Sequence, residues 1–523
     1  MKSYKNHLIT TKSFGETKDI SYNPTMRSSA IFPLIHTTKK ISSIYTFMGY
    51  WLKKRNIAII SVLVTIRDAN GKKIKKESIE VNSIKSYSIY SSDLLGEKNN
   101  KFFGSIEFEI FSAVDMVFPY PAITFGLKSV NGLTFVHTCG RIYNNFDDIK
   151  SNEEYVVPET GFDVFISKKY KPFFIFVNGP IKIKNKKIRL EFIDTKGRKK
   201  ISDKIIEKVN PYGLGWVNLL EDKERKFFKN EEKICVKVYH KFNGFFPRLV
   251  AGNVLKNFQG MSLTHSYYDT SKKVSKSSYS HNRSIRNFYD SVTSIPFDSE
   301  FSEIELAIYP NMPIAPTNLK LELYTNEGSL VDVIEYENKI ATKNTRLSYI
   351  KLMEKFAKYK NTIKQGNIKI ILDGKGTVPI RMKFGLNFTN IKNNINLPSN
   401  VCFSTSPVNE KTLKKLGTFR WCTIFDVSYQ KIYLHNTSFV KKGFRDAEIK
   451  IQTYRKIDNK NLEWKVKIPH NGSKEILAPV KNKIKKFLNG EIGWVFFSCS
   501  SPFVGGYYVT DYGNGVIGAD HLY

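Results

Sequence analysis

The sequence predicts an all-β protein: four tandem, divergent β-sandwich repeats of about 130 residues, of jelly-roll or immunoglobulin-like type, with little helix. Three observations predict it. Apolar residues make up 41% and aromatic residues 14% of the 523-residue chain, enough to fill packed cores and weighted toward strand formers. Short alternating stretches are punctuated by Gly/Asn turn signals. Three landmarks recur in the same order four times along a chain too long for one ordinary core.

The first landmark is an apolar strand: "SSIYTFMGY", "PFFIFVNG", "SEIELAIYP" and "QKIYLHNTS". These begin at Ser42, Pro172, Ser302 and Gln430, spaced by 130, 130 and 128 residues. The second is a hairpin. "NIAIISVLVTI", "NKKIRLEFI" and "TNLKLELY" run into turns carrying Gly71, Gly197 and Gly328, and "AEIKIQTYRKIDNKN" is the fourth copy. Glycine or asparagine at the bend and alternation on both sides are the signature of a tight two-strand turn. The third is a strand followed by proline and a glycine-bearing strand. "GSIEFEIFS", "EKICVKVYH", "GNIKIILDG" and "GEIGWVFFS" lead to "PAITFGL", "PRLVAGNVL", "PIRMKFGL" and "PFVGGYYV". Proline donates nothing to a ladder, so it belongs at a sheet edge or corner.

These landmarks divide the chain into an N-terminal extension (1–30), repeat one (31–146), repeat two (147–270), a polar linker (271–291), repeat three (292–408) and repeat four (409–523). The best helical candidate is Ser348–Gly366, with shorter counterparts in "DLLGEKNNKFFG", "NLLEDKERKFFKN" and "APVKNKIKKFLNG". Each is a crossover in which apolar residues flank a basic stretch.

The formal charge is +34, from 82 basic and 48 acidic residues. Such a field attracts polyanions. The crossovers concentrate it: Lys98 and Lys101; Lys223, Arg225 and Lys226; Lys355, Lys358 and Lys360; Lys483, Lys485 and Lys486. If the repeats stack in file, these segments form a basic row suited to an acidic polysaccharide or other polyanion. Codon bias in an Asn-, Ile- and Lys-rich chain is the competing source of lysine. Helix-turn-helix, RNP-type and zinc-finger signatures are missing, so sequence-specific nucleic-acid binding is not expected. No apolar run approaches 18 residues, so no transmembrane segment is expected. "MKSYKNHLITTKSFGETKD" holds no apolar signal-peptide core, and a cytoplasmic location follows, with signal-independent export the alternative.

The five cysteines form no CxxC and the usual catalytic motifs are missing, so neither a cofactor nor a cysteine-held zinc is expected. Histidine is the remaining chemical lead. His137, His265 and His521 fall at one place in repeats one, two and four, just past the proline–glycine strand, and Phe403 stands there in repeat three. Asp269 lies near His265, and Asp520 precedes His521. A carboxylate can orient a ligand imidazole. Yet centres of repeats this size lie on the order of 25–35 Å apart. The three histidines are therefore expected in three separate places, each pinning a strand end through a backbone carbonyl and none belonging to a metal site.

These observations favour a non-enzymatic, multi-module binding or scaffolding protein recognising an acidic glycan or cell-surface polysaccharide. The candidate ligand residues are Lys223, Arg225, Lys226, Lys483, Lys485, Lys486, His137, His265, Asp269 and His521. One alternative is a polysaccharide-processing enzyme with a site at a repeat junction, where His265, Asp269, His281 and Arg283 fall near the polar linker. The other is a virion or assembly structural protein.

Overall fold

The computed structural model describes residues 25–37, 40–96, 101–113, 122–137, 140–142, 159–240, 242, 245–246, 249–268, 279–281, 291–309, 317–340, 347–373, 377–379, 382–390, 397–405, 414–438 and 445–523. Asp269, Lys98 and Arg283 lie outside them. The protein is all-β, built from four β-sandwich repeats.

Repeat four shows the plan. Its eight strands are Thr418–Ile424, Gln430–Asn436, Ala447–Tyr454, Asn461–Ile468, Ser473–Glu475, Gly493–Cys499, Val504–Asp511 and Ile517–His521. Strands four, three, six and one make one antiparallel sheet; strands five, two, seven and eight make the other. Repeat two (strands from Glu159–Phe165 to Met261–His265) and repeat three (Ser291–Asp298 to Ser399–Thr405) keep this order. In repeat one (Thr25–Thr37 to Gly132–Val136) strands one and two also pair, at His36 and Ser42, joining both layers into one eight-stranded sheet. The opening strand of repeat one begins at Thr25, inside the stretch read from sequence as an extension. Within the polar linker, Tyr279–His281 pairs with Thr377–Pro379.

The landmarks take the same place in every copy. The apolar strand is strand two, the hairpin is strands three and four, and the proline separates strands six and seven. The basic crossovers join strand five to strand six through short helices: Ser91–Leu95, Asp222–Phe227, Leu352–Lys355 and Lys481–Leu488. The helical candidate Ser348–Gly366, for which a short helix or a long crossover loop suits the pattern, holds only a short helix. Ser348–Lys351 is instead a strand on Glu305–Ile308, followed by one α-turn and the 3₁₀ turn Ala357–Tyr359. Its apolar residues Ile350, Leu352, Met353 and Phe356 plug the sandwich, and that packing overrides helical spacing.

The repeats do not stack in file. The closing strands Gly132–Val136, Met261–His265, Ser399–Thr405 and Ile517–His521 lie side by side in a closed ring of four, repeat one meeting both two and four. The cores interlock accordingly. Met261 and Leu263 of repeat two pack into the core of repeat one, Leu133 and Phe135 of repeat one into that of repeat four, and Ile517 and Ala519 of repeat four into that of repeat three. Cys402 of repeat three completes the cycle in the core of repeat two. Hairpins lock the rim. Gly71 (φ +83°) lies so close to Pro211 that a Cβ would stand 1.9 Å from its carbonyl oxygen. Gly328 (φ +81°) repeats the contact on His470 at 2.2 Å. Only glycine satisfies both the positive φ and the close approach.

Candidate metal centre on the axis of the four repeats

Closing the ring changes what the histidines can do. Separate cores predict separate strand ends, and therefore three separate places for His137, His265 and His521. The closing strands meet on one axis instead, so three strand ends converge. One donor atom from each of His137, His265, His521 and Asp520 lies within 4.8 Å of all the others. Ring centroids stand 4.5 Å apart for His137–His265 and His137–His521, and 6.3 Å for His265–His521. His265 and Asp520 are buried; His137 and His521 are half-buried.

The local chain sets the orientation of each ring. Nδ1 of His265 lies 3.0 Å from the carbonyl oxygen of Ser266, and Nδ1 of His521 lies 2.9 Å from that of Leu522. A carbonyl only accepts, so both rings carry their proton on Nδ1. The strand-end pin expected from sequence reaches a carbonyl of the neighbouring strand; these bonds are made instead to the next residue along the chain. Nδ1 of His137 faces the Asp520 carboxylate at 2.9 Å. All three Nδ1 atoms thus face oxygen, and an imidazole donating from Nδ1 in its neutral form carries its lone pair on Nε2.

Asp520 anchors the group. Its Oδ2 accepts from His137 Nδ1, from the His137 backbone N–H at 3.1 Å and from the Tyr523 hydroxyl at 2.7 Å. Its Oδ1 accepts from the His521 N–H at 2.8 Å. Burial by itself disfavours the carboxylate, but His137, with His521 and His265 beyond, outweighs it and holds the group well below the usual carboxylate range. Tyr523 lies 4.3 Å from the His137 ring and is held in turn by backbone hydrogen bonds to Trp421. Tyr508, 3.3 Å from the Tyr523 hydroxyl, donates to the Phe135 carbonyl at 2.9 Å.

The sequence reading missed Tyr523 and Tyr508, which no motif flags. Asp520 carried a readable signal, its place directly before His521. Phe403, the repeat-three counterpart, packs between Phe384 and Tyr507 in an apolar core.

The remaining candidates stay apart from this group. Of the junction set around the polar linker, His265 turns to the axis, while Asp269 and Arg283 lie outside the described residues. In the repeat-two crossover, Arg225 is half-buried and donates to the carbonyls of Ser167 (3.1 Å) and Tyr170 (3.3 Å). Lys223 lies 3.7 Å from Glu221 and 3.8 Å from Glu224. In the repeat-four crossover, Lys483, Lys485 and Lys486 are exposed beside Lys481 on a helix with no acidic residue, whose Ile484 and Leu488 are buried. The crossovers belong to four repeats around an axis, so they do not form a row along a stack.

No protein-family model matches the chain, and no curated protein is similar to it. Among solved structures it has a remote likeness to the tetra-tandem repeat in the extending region of a large adhesion protein, at 8% identity over 94% of this chain and 98% of that one, TM-score 0.09. A calcium-binding mutant of Bacteroides uniformis beta-glucuronidase 2 aligns at 8% identity over 49% and 29% of the two chains, TM-score 0.12. A glycoside hydrolase of family 32 from Bifidobacterium adolescentis aligns at 9% over 94% and 95%, TM-score 0.13. Superpositions this poor carry no argument. Among the described residues, no helix is long and apolar enough to cross a membrane.

Proposed function

We propose that this chain is a non-enzymatic binding and scaffolding protein, a rigid four-module hub whose basic outer surface engages an acidic glycan or a similar polyanion. The observation that carries the reading is the Lys481–Leu488 helix. It buries Ile484 and Leu488 and presents Lys481, Lys483, Lys485 and Lys486 to solvent with no carboxylate among its residues. A net charge of +34 adds long-range attraction. The interlocked cores favour a rigid support over a flexible tether, since each repeat buries side chains of a neighbour.

Retention on a heparin-like matrix tests this reading. It should fall steeply with salt, because each phosphate- or sulfate-type contact releases counterions. Reversing Lys483, Lys485 and Lys486 to glutamate should lower the eluting salt concentration markedly. Reversing Lys223, already near two glutamates, should lower it less. Retention unchanged in the triple variant would refute the assignment of that helix.

A further inference from the structure

We infer that His137, His265 and His521 form a binding site for one divalent transition-metal ion of the zinc or cobalt type, with Asp520 as the residue that positions His137. Three geometric facts support it. The donor set comes from three repeats and meets within 4.8 Å. The three Nδ1 atoms all face oxygen acceptors, and in an imidazole that donates from Nδ1 the ligating lone pair is on Nε2. The acceptors are two backbone carbonyls and one carboxylate, the partners that fix ring orientation and raise basicity around a bound metal.

Donor chemistry selects the ion. Three imidazoles and a neighbouring carboxylate suit a borderline divalent ion, whereas magnesium and calcium favour all-oxygen sets. Donors on a tetrahedral ion with bonds of about 2.0–2.1 Å stand roughly 3.3 Å apart, so a pair now at the 4.8 Å limit closes by about 1.5 Å on binding. Side-chain rotation supplies that movement while the strand ring stays in place. Asp520 is buried and sets its Oδ2 2.9 Å from His137 Nδ1, which fixes the orientation of that ring. His137 and His521, each half-buried, mark the side from which the ion enters. Repeat three, with Phe403, contributes no ligand from this position, and the ion links repeats one, two and four.

The test uses the full chain stripped with a chelator and titrated with Co(II) alone. One equivalent should produce saturable d–d absorption bands, Zn(II) should displace them, and the unfolding midpoint should rise with bound metal. His265→Phe puts the repeat-three side chain in repeat two. It should abolish the bands and the metal-dependent rise while leaving far-ultraviolet circular dichroism unchanged. Asp520→Asn should keep the stoichiometry and weaken Co(II) affinity about 10- to 100-fold, the effect expected of a group that orients a ligand. A wild-type chain that gives no saturable bands overturns the site whatever the variants do. Bands retained at full affinity in a folded His265→Phe protein overturn it equally.

Discussion

The junction of repeats two and three and the axis of repeats one, two and four both bury ionisable groups, and they satisfy them in opposite ways. At the junction, Asp163 accepts from Asn387 Nδ2 at 2.8 Å and from the Tyr349 hydroxyl at 2.9 Å. Asn400 donates to Asn387 Oδ1 at 2.7 Å and to the Tyr309 hydroxyl at 3.1 Å. Lys233 pairs with Glu305, and Asn387 also reaches Glu305 at 3.2 Å. Donors and acceptors there close on one another, leaving no convergent set of lone pairs. On the axis, one donor atom from each of His137, His265, His521 and Asp520 converges within 4.8 Å of the others. A network that consumes its own polar groups is structural cement. One that turns its basic atoms toward a shared space is suited to a ligand.

Breaking the junction should produce the largest effect. Lys233→Met leaves Glu305 buried without its cation, and unfolding by denaturant should show a loss of about 3–5 kcal/mol. A loss below 1 kcal/mol would show that Glu305 is readily rehydrated and that the network is not closed.

A pH titration sharpens the same point. Burial first, and Glu305 besides, raise Asp163 to about 7 against the lowering influence of Asn387, Lys233 and Tyr349. The folded state therefore holds a proton that the unfolded chain has released above about 4. The stabilisation from Asp163 is complete below that value and is lost as pH rises toward about 7. The wild-type advantage in unfolding midpoint over Asp163→Asn should shrink across this window and level off above it. A constant difference would place the group's titration outside it.

His265→Phe, measured without metal, should cost at most about 1–2 kcal/mol, the scale of one buried hydrogen bond. A greater loss in the stripped protein would make the axis a structural network like the junction. Smallest of all, Lys223→Ala should change stability by about 0–1 kcal/mol, as for other exposed ion pairs. Equilibrium unfolding of the two variants side by side would read both.

The difference between the regions also explains what could be read from residues alone. The strand–hairpin–proline landmarks are local. Glycine at Gly71 and Gly328, alternation in "TNLKLELY", and the proline before "PFVGGYYV" each act within a few residues, so pattern reveals them. In Ser348–Gly366 the pattern reveals a short helix in the crossover but not the strand Ser348–Lys351 before it, because apolar residues spaced for a helix also suit a strand edge that caps a sandwich. Asp163, Asn387 and Asn400 gave no signal, since buried polar residues from distant strands have no spacing rule.

By itself, the sequence determined an all-β chain of four repeats and the recurrence of histidine at one position in three of them, because turn chemistry and two-residue periodicity are short-range. Only the tertiary structure decided that the repeats close into a ring and that strand ends more than a hundred residues apart share one axis. Closure depends on each repeat burying apolar side chains of the next. That surface match is a property of pairs of folded repeats, which no single stretch of sequence displays.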